Sequence, residues 1–198
     1  MASKNKSKKR QNVPSSGGLR HEVERLIAKD RLKDAVKQAK LCYREESTPE
    51  HHRLLERAYL LRADQLRRNA MPTAAQEVAQ HLLDFGITAP ALVEEAARLF
   101  LALGLLQGAL ALQGRLDSPE ARERLALQVA DLAVLHPERA LQSPPEVRQG
   151  AQPVRAALEA LQAGDEAKAL DALRDVARSS PFSDWTRDLP IAISRLMA

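Results

Sequence analysis

The chain has 198 residues, of which 44% are hydrophobic but only 3% aromatic, and a formal net charge of +4 at pH 7. This length is sufficient for a sizeable core in one or two domains. Leucine and alanine dominate the apolar residues and β-branched runs are absent, which predicts an all-α fold. The single cysteine, Cys42, excludes an internal disulfide. One cysteine and no recognisable signal peptide are typical of a cytoplasmic protein, and the Ala/Leu/Arg-rich composition is typical of a bacterial one.

The positive charge is concentrated at the amino terminus. Six of the 30 basic residues lie within the first 20 positions, which contain no acidic residue, so the rest of the chain is slightly acidic. Residues 1–18 are polar, basic and rich in glycine and serine, which predicts a disordered tail. Such a tail is either a solvated arm or a non-specific contact for nucleic acid or a ribosome. The candidates for polyanion contact are Lys4, Lys6, Lys8, Lys9 and Arg10.

Apolar residues at helical spacing predict a series of helices from Leu19 onward. Prolines, glycines and hydroxyl residues mark their ends, with Thr73 and Ser183 among the predicted helix caps. The predicted helices span residues 19–30, 33–46, 50–69, 74–85, 91–103, 107–116 and 119–135, followed by a short piece at 137–142, the pair described next and a last helix around residue 185.

The clearest unit is a helical hairpin at residues 153–181. Gly164 follows its first helix, where a left-handed residue often ends a helix, and Asp165 can cap the second helix. The second helix is predicted to continue to Ala177, before Pro181. Because the turn is short, the two helices must run antiparallel. Four leucines are expected to supply most of the buried area: Leu158, Leu161, Leu170 and Leu173.

Weaker copies of this hairpin recur along the chain. Each copy has a small residue five positions after its turn, at intervals of 40, 34, 31 and 29 residues: Ala35, Ala75, Ala109, Ala140 and Ala169. The tetratricopeptide repeat has a period of about 34 residues. With the sequence GDEAKAL and the later ARSSP of the clearest copy, the chain resembles the tetratricopeptide repeat family over about residues 19–185. The aromatic residue near the start of the first helix is missing, and only Gly104 and Gly164 provide the turn glycine.

The resemblance implies an all-α, right-handed superhelical stack of about four to five antiparallel hairpins, an α-solenoid. It divides the chain into a basic tail (1–18), helical repeats (19–182) and a C-terminal capping or truncated helix (183–198). For that last segment, three explanations stay open: a fragment of a longer array, a helix that bends at Pro190 and caps the stack, or a face buried against another chain.

In tetratricopeptide proteins the concave face is lined by the first helix of each repeat and binds peptides or protein segments. Transferring those inner positions to this chain yields seven candidates: Arg20, Glu24, Arg57, Asp64, Arg67, Glu94 and Arg98. The resemblance implies a mixed-charge groove in which the arginines pair with acidic groups of a partner. The alternative is an ordinary solvated helix surface.

Nothing in the sequence indicates catalysis, a cofactor or a metal. There is no phosphate-binding loop and no hydrolase or metalloprotease motif. His52 and Glu56 share a helix face, but one such pair provides too few ligands for a metal. Cys42 lies on an apolar face and is predicted to be buried. The uncharged stretch 99–114 is too short to span a membrane, so we expect it to form the most buried hairpin.

We therefore expect a protein-binding scaffold without enzymatic activity, bound to a protein partner and not to a membrane. The alternative is a nucleic-acid- or ribosome-associated adaptor that uses the basic tail. An enzyme whose site has no recognisable motif is the third reading.

Overall fold

The computed structural model describes residues 16–141, 143, 145–176 and 180–196. Within these residues every regular element is a helix and no strand is present, in agreement with the all-α prediction. The helices are α1 (Ser16–Ala28), α2 (Leu32–Glu45), α3 (Pro49–Arg68), α4 (Pro72–Phe85), α5 (Pro90–Ala102), α6 (Leu106–Gln113), α7 (Pro119–Leu135), α8 (Pro137–Ala140), α9 (Pro145–Gln162), α10 (Glu166–Leu173) and α11 (Ser183–Leu196).

Four pairs of consecutive helices are joined by the same three-residue turn: α1–α2, α3–α4, α5–α6 and α9–α10. The middle residue of each turn is left-handed, with φ of 54° at Asp30, 55° at Ala70, 76° at Gly104 and 78° at Gly164. In each turn the next residue donates its backbone N–H to the carbonyl five positions earlier, and the middle residue donates to the carbonyl three positions earlier. This is the Schellman arrangement, in which a left-handed residue satisfies the last carbonyls of a helix.

A buried alanine follows each of these turns at the same position. Ala35, Ala75, Ala109 and Ala169 are all 0% exposed, so the predicted alignment of turn and small residue is confirmed at these four copies. The fifth predicted copy, at Ala140, does not have this turn. There α8 follows α7 after the single residue His136, whose φ of −131° is not left-handed.

The helices pack mainly against their neighbours in sequence, and α1, α3, α5, α7 and α9 also contact one another in succession. Arg20 Nη1 near the start of α1 lies 2.8 Å from Glu50 Oε2 at the start of α3. Arg124 Nη2 near the start of α7 lies 3.9 Å from Glu94 Oε1 near the start of α5. These pairs show that α1 and α3 run in the same direction, as do α5 and α7, and Leu60 and Arg67 of α3 lie beside Glu95 and Ala102 of α5 in the same order, as antiparallel hairpins require.

The buried side chains form two clusters that meet at α7. The first extends from α1 to α7 and contains Phe100, which is 0% exposed. The second consists of the carboxyl-terminal half of α7 together with α9, α10 and Phe182, and Val147 packs against both clusters. The predicted hairpin at 99–114 contributes both α5 and α6 residues to the first cluster. None of the helices in the described ranges has the length and hydrophobicity needed to cross a membrane.

The second half of the chain departs from the predicted helix limits. α9 begins at Pro145 and continues through Pro153, where the sequence predicted a helix start. A proline inside a helix removes one backbone hydrogen bond. Ala151 and Val154 on either side of it are buried, and their burial offsets this loss. α10 ends at Leu173, and the predicted end at Ala177 lies outside the described residues.

Leu170 was predicted to be buried but is 40% exposed. The buried face of α10 is centred between Ala169 and Leu173, which are four positions apart. Leu170 lies at the edge of that face because successive helical residues are rotated by about 100°.

The predicted helix caps have mixed outcomes. Asp165 accepts a hydrogen bond from Lys168 N at 3.0 Å, which confirms its predicted role. Thr73 is not a cap, since α4 already begins at Pro72 and the residue before it, Met71, makes no side-chain cap. Ser183 is the first residue of α11 and not the residue before it. α11 contacts α10, and its Trp185 and Leu189 pack against the second cluster.

Candidate functional site

Three of the predicted residues line a groove between α3 and α5, which we call the α3–α5 groove. Asp64 and Arg67 lie on its α3 side and Arg98 on its α5 side. Its apolar lining comes from Leu60, Leu99 and Ala102, Glu95 completes the rim, and its volume is about 440 Å³. An apolar lining with charged rims suits an extended polypeptide better than a small polar molecule.

A second groove continues from the first between α5 and α7, and we call it the α5–α7 groove. Glu94, Arg98 and Arg124 provide its charges, and its volume is about 230 Å³. Arg98 lines both grooves, so four predicted residues lie along one continuous surface. Sequence reasoning missed Arg124. Arg124 could have been predicted by extending the series α1, α3, α5 to α7, because it lies near the start of that helix.

The ion pairs along this surface are of two kinds, a long and exposed pair at Arg98 and hydrogen-bonded pairs at Asp64. Arg98 Nη2 lies 3.6 Å from Glu94 Oε1, and the two side chains are 67% and 52% exposed. Asp64 is shared by two guanidinium groups, Arg67 Nη2 at 2.8 Å and Arg68 Nε at 3.0 Å. Exposed ion pairs typically contribute about 0–1 kcal/mol each. An incoming carboxylate can therefore replace Glu94 as the partner of Arg98 at little cost.

The remaining predicted residues lie apart from the grooves. Arg57 is exposed on α3 and lines neither groove, and it forms no ion pair with the described residues. Arg20 pairs with Glu24 at 3.4 Å and with Glu50 at 2.8 Å near the start of α1. The five basic tail candidates, Lys4, Lys6, Lys8, Lys9 and Arg10, lie outside the described residues.

A buried carboxylate, Glu56, sets the spacing of α3 and α5. The sequence did not predict this structural role. Glu56 in α3 is 0% exposed. It accepts hydrogen bonds from Thr88 N at 2.7 Å, Thr88 Oγ1 at 2.6 Å and Ala89 N at 3.1 Å. Ala89 precedes the first residue of α5 and makes no side-chain cap itself. Glu56 therefore caps α5 from the neighbouring helix. Its carboxylate also interacts favourably with the positive amino-terminal end of the α5 dipole.

His52, one turn before Glu56, connects this carboxylate to an aromatic cluster. Its Nδ1 contacts Glu56 Oε1, and its ring stacks on Phe85 with the ring centroids 4.2 Å apart. Tyr43 meets both rings edge-on, with centroid distances of 5.6 Å to His52 and 5.3 Å to Phe85. The His52–Glu56 pair is thus part of the packing between α2, α3 and α4. Among the described residues, no three metal-ligating side chains come together.

The α4–α5 loop is also fixed from its other side. Arg115, after α6, donates through Nη1 to the carbonyl of Ile87. Glu56 in α3 and Arg115 after α6 thus hold the same loop, which leads directly into the start of α5. The walls of the α3–α5 groove are consequently positioned before any partner binds, which reduces the entropy cost of binding.

Cys42 is fully buried in α2, as predicted. Burial raises the pKa of the Cys42 thiol, and the nearby carboxylates of Glu45 and Glu46 raise it further. A thiol in this environment is a poor nucleophile at neutral pH.

Comparison with known proteins adds no relative. No protein-family model matches the chain, and neither the curated proteins nor the solved structures contain a match. The described residues define an all-helical protein of successively packed hairpins with a charged groove along its odd-numbered helices. The tetratricopeptide resemblance depends on the spacing of its repeats and on the positions of its turns.

Proposed function

We propose that this protein is a tetratricopeptide-like α-solenoid that binds an acidic peptide or protein segment and has no catalytic role. The bound segment would lie along the α3–α5 and α5–α7 grooves. The observation that carries this proposal is that Arg67, Arg98 and Arg124 lie along one surface with apolar side chains between them. A scaffold of this kind would work in the cytoplasm, where the single cysteine stays reduced.

The fold-level support comes from the regularity of the hairpins. Four turns have a left-handed residue at the same position and the same pair of hydrogen bonds, and α1, α3, α5 and α7 run in the same direction. Repetition of such a unit with a small rotation produces a superhelix whose inner surface is concave. A right-handed superhelix of this type would place the two grooves on its inner face.

The chemistry of the grooves favours an acidic segment over a basic one. Guanidinium groups bind carboxylates through two parallel hydrogen bonds, which lysine cannot reproduce. Glu94 lies 3.6 Å from Arg98 and 3.9 Å from Arg124, so these two arginines are only loosely paired. Leu60, Leu99 and Leu125 are buried beneath the grooves, so the exposed Ala102 would provide the apolar contact with the segment between its acidic residues.

Peptide display on the immobilised full chain tests this proposal. We expect the wild-type protein to enrich sequences that combine Asp or Glu with apolar residues. The double variant Arg67→Glu/Arg98→Glu should bind the enriched peptides about tenfold more weakly or worse, because a charged hydrogen bond contributes about 1.5–3 kcal/mol. Fluorescence anisotropy with the synthesised peptide measures this loss.

The matched control is Lys37→Glu/Arg44→Glu, which changes the charge equally at exposed positions of α2. This control should bind like the wild type, and both variants should keep the wild-type far-UV circular dichroism. Arg57→Glu, tested alone, shows whether that residue belongs to the site. Enrichment of basic or purely apolar peptides, or equal binding by the groove variant, would refute the proposal.

A further inference from the structure

The last helix, α11, lies on the same surface as the two charged grooves. On α7, Arg124 and Gln128 line the α5–α7 groove. Leu127 and Asp131 line a hollow of about 420 Å³ between α7 and α11. The spacing of these four positions, by three and four residues, puts them on one face of α7. α11 therefore borders the α5–α7 groove on the side away from α5.

α11 reaches this position by folding back from α9. Phe182, just before α11, packs on the first part of α9, where a Cβ at Gly150 would lie 2.5 Å from its ring. Three residues later, Trp185 Nε1 donates a hydrogen bond to Asp131 Oδ1 of α7 at 3.0 Å. Trp185 and Leu189 also pack against the second cluster, which contains residues of both α7 and α9. α11 thus covers the next place in the row of grooves, the one between α7 and α9.

α11 makes few strong contacts there. None of residues 183–190 is fully buried. Asp184 and Asp188 pair with Arg187 of the same helix, at 3.3 Å and 3.0 Å. Between residues 183 and 189, Trp185 makes the one side-chain hydrogen bond to another helix, and that bond is exposed. A segment with little buried surface and one exposed cross-link opens at a low free-energy cost.

α9 contains two arginines that lack a hydrogen-bond acceptor. The Nε atoms of Arg148 and Arg155 are buried without a partner, which costs free energy. The two arginines are seven residues apart and share one face of α9. Arg155 lies nine residues before the turn residue Gly164. In α5 the residue nine positions before Gly104 is Glu95, which lines the α3–α5 groove. Arg155 therefore occupies a position that lines a groove in an earlier hairpin.

We propose that α11 is an autoinhibitory cover, and that α11 and the acidic segment exclude each other from the surface between α7 and α9. This inference rests on the proposed function. α11 combines aspartates with Trp185 and Leu189, the same chemistry that the proposed function assigns to the bound segment. When α11 leaves, Arg148 and Arg155 can turn toward carboxylates of the segment and gain the acceptors they lack. Because only the open form binds the whole segment, the apparent affinity falls with the fraction of chains that are open.

Two substitutions of Asp131 separate opening from a change of charge. Asp131→Ala removes the acceptor of the Trp185 indole, whereas Asp131→Asn removes the same charge and keeps an acceptor oxygen. The probe is a fluorescein-labelled peptide of alternating Glu and Ala. A length of about 12 residues, when extended, covers the roughly 30 Å from α3 to α9. Asp131→Ala should bind it about three- to tenfold more tightly than the wild type, as expected for the loss of one exposed hydrogen bond. Asp131→Asn should stay close to the wild type.

Trp185 is the only tryptophan of the chain, so its fluorescence reports the position of α11. Saturating unlabelled peptide should shift the emission of the wild-type protein to longer wavelength and increase its quenching by acrylamide, because the partly buried indole becomes exposed. Asp131→Ala should show part of this shift without peptide. A peptide that bound beside a stationary α11 would shield the indole and reduce the quenching.

The role of α9 is tested in the Asp131→Ala background. Adding Arg148→Gln/Arg155→Gln should remove the gain in affinity. Lys168→Gln/Arg174→Gln, which changes the charge equally at exposed positions in and just after α10, is the matched control and should keep the gain. Far-UV circular dichroism should be the same for all variants.

The outcomes distinguish this inference from the proposed function. Peptide that binds the wild type without shifting the emission of Trp185 would overturn the inference and leave the proposed function intact. The same holds for equal affinities of Asp131→Ala and Asp131→Asn, or for a gain that survives Arg148→Gln/Arg155→Gln. Failure of the wild type and of every variant to bind the peptide would overturn both.

Discussion

Glu56 in α3 and Thr88 before α5 are joined by two hydrogen bonds, from the backbone N–H at 2.7 Å and from the hydroxyl at 2.6 Å. The carboxylate is completely buried, so these bonds replace the water it would have in the unfolded chain. The relationship links hairpins that are otherwise separate in sequence. It sets the distance between the two helices that form the α3–α5 groove.

Glu56→Ala should destabilise the protein by about 2–3 kcal/mol, because it removes the acceptor of the partly buried Thr88 N–H and of the buried Ala89 N–H. Glu56→Gln keeps one acceptor oxygen and should lose less. Urea denaturation followed by circular dichroism measures both. Glu159→Ala, at an exposed position of α9, is the control and should change stability little. A Glu56→Ala variant as stable as this control would show that the cap does not matter.

Ala70→Gly should stabilise the protein by about 1 kcal/mol, because the left-handed conformation costs roughly that much free energy for a residue with a Cβ atom. The φ of 55° at Ala70 is the source of this strain. Thermal unfolding gives the sign directly. Ala111→Gly, on the exposed side of α6, serves as the opposite control and should destabilise by about 1 kcal/mol, as glycine does inside a helix. The same sign for both variants would contradict the turn geometry.

Gly150→Ala should destabilise the protein even though alanine favours helix formation. A Cβ at Gly150 would lie 2.5 Å from the ring of Phe182, which closes the second cluster. In a Phe182→Leu background the space opens, and the same substitution should then stabilise by up to about 1 kcal/mol. A double-mutant cycle from urea unfolding measures the coupling. Additive effects would show that Gly150 and Phe182 do not constrain each other.

Cys42 should resist thiol reagents in the folded protein. Burial raises the pKa of its thiol, so the thiolate fraction near pH 8 is smaller than for a free cysteine, and access is blocked as well. We expect labelling by a maleimide to be slow at pH 7–8 and to become fast on adding denaturant. Ala111→Cys, at an exposed position of α6, provides a comparison thiol. Equal labelling rates for both thiols without denaturant would contradict this environment.

Local sequence determined the helices, most of their ends and the hairpin turns. The repeated interval between turn and alanine predicted Ala35, Ala75, Ala109 and Ala169 as buried residues. Asp165 can be predicted as a cap because the N–H group that its side chain accepts from belongs to Lys168, only three residues later. These features depend on contacts within one or two helical turns, so the pattern of the sequence contains them.

Only the tertiary structure decided how the helices meet. Glu56 finds its donors 32 and 33 residues away, and Trp185 finds Asp131 54 residues away. α9 continues through Pro153 because burial against α7 compensates for the lost hydrogen bond, which no local rule predicts. Local sequence also could not show that Arg57 lies outside the grooves or that Arg124 lines one of them. Whether a residue at the edge of a helix face is buried depends on the neighbouring helix. The position of that helix depends on many contacts between residues that are distant in sequence.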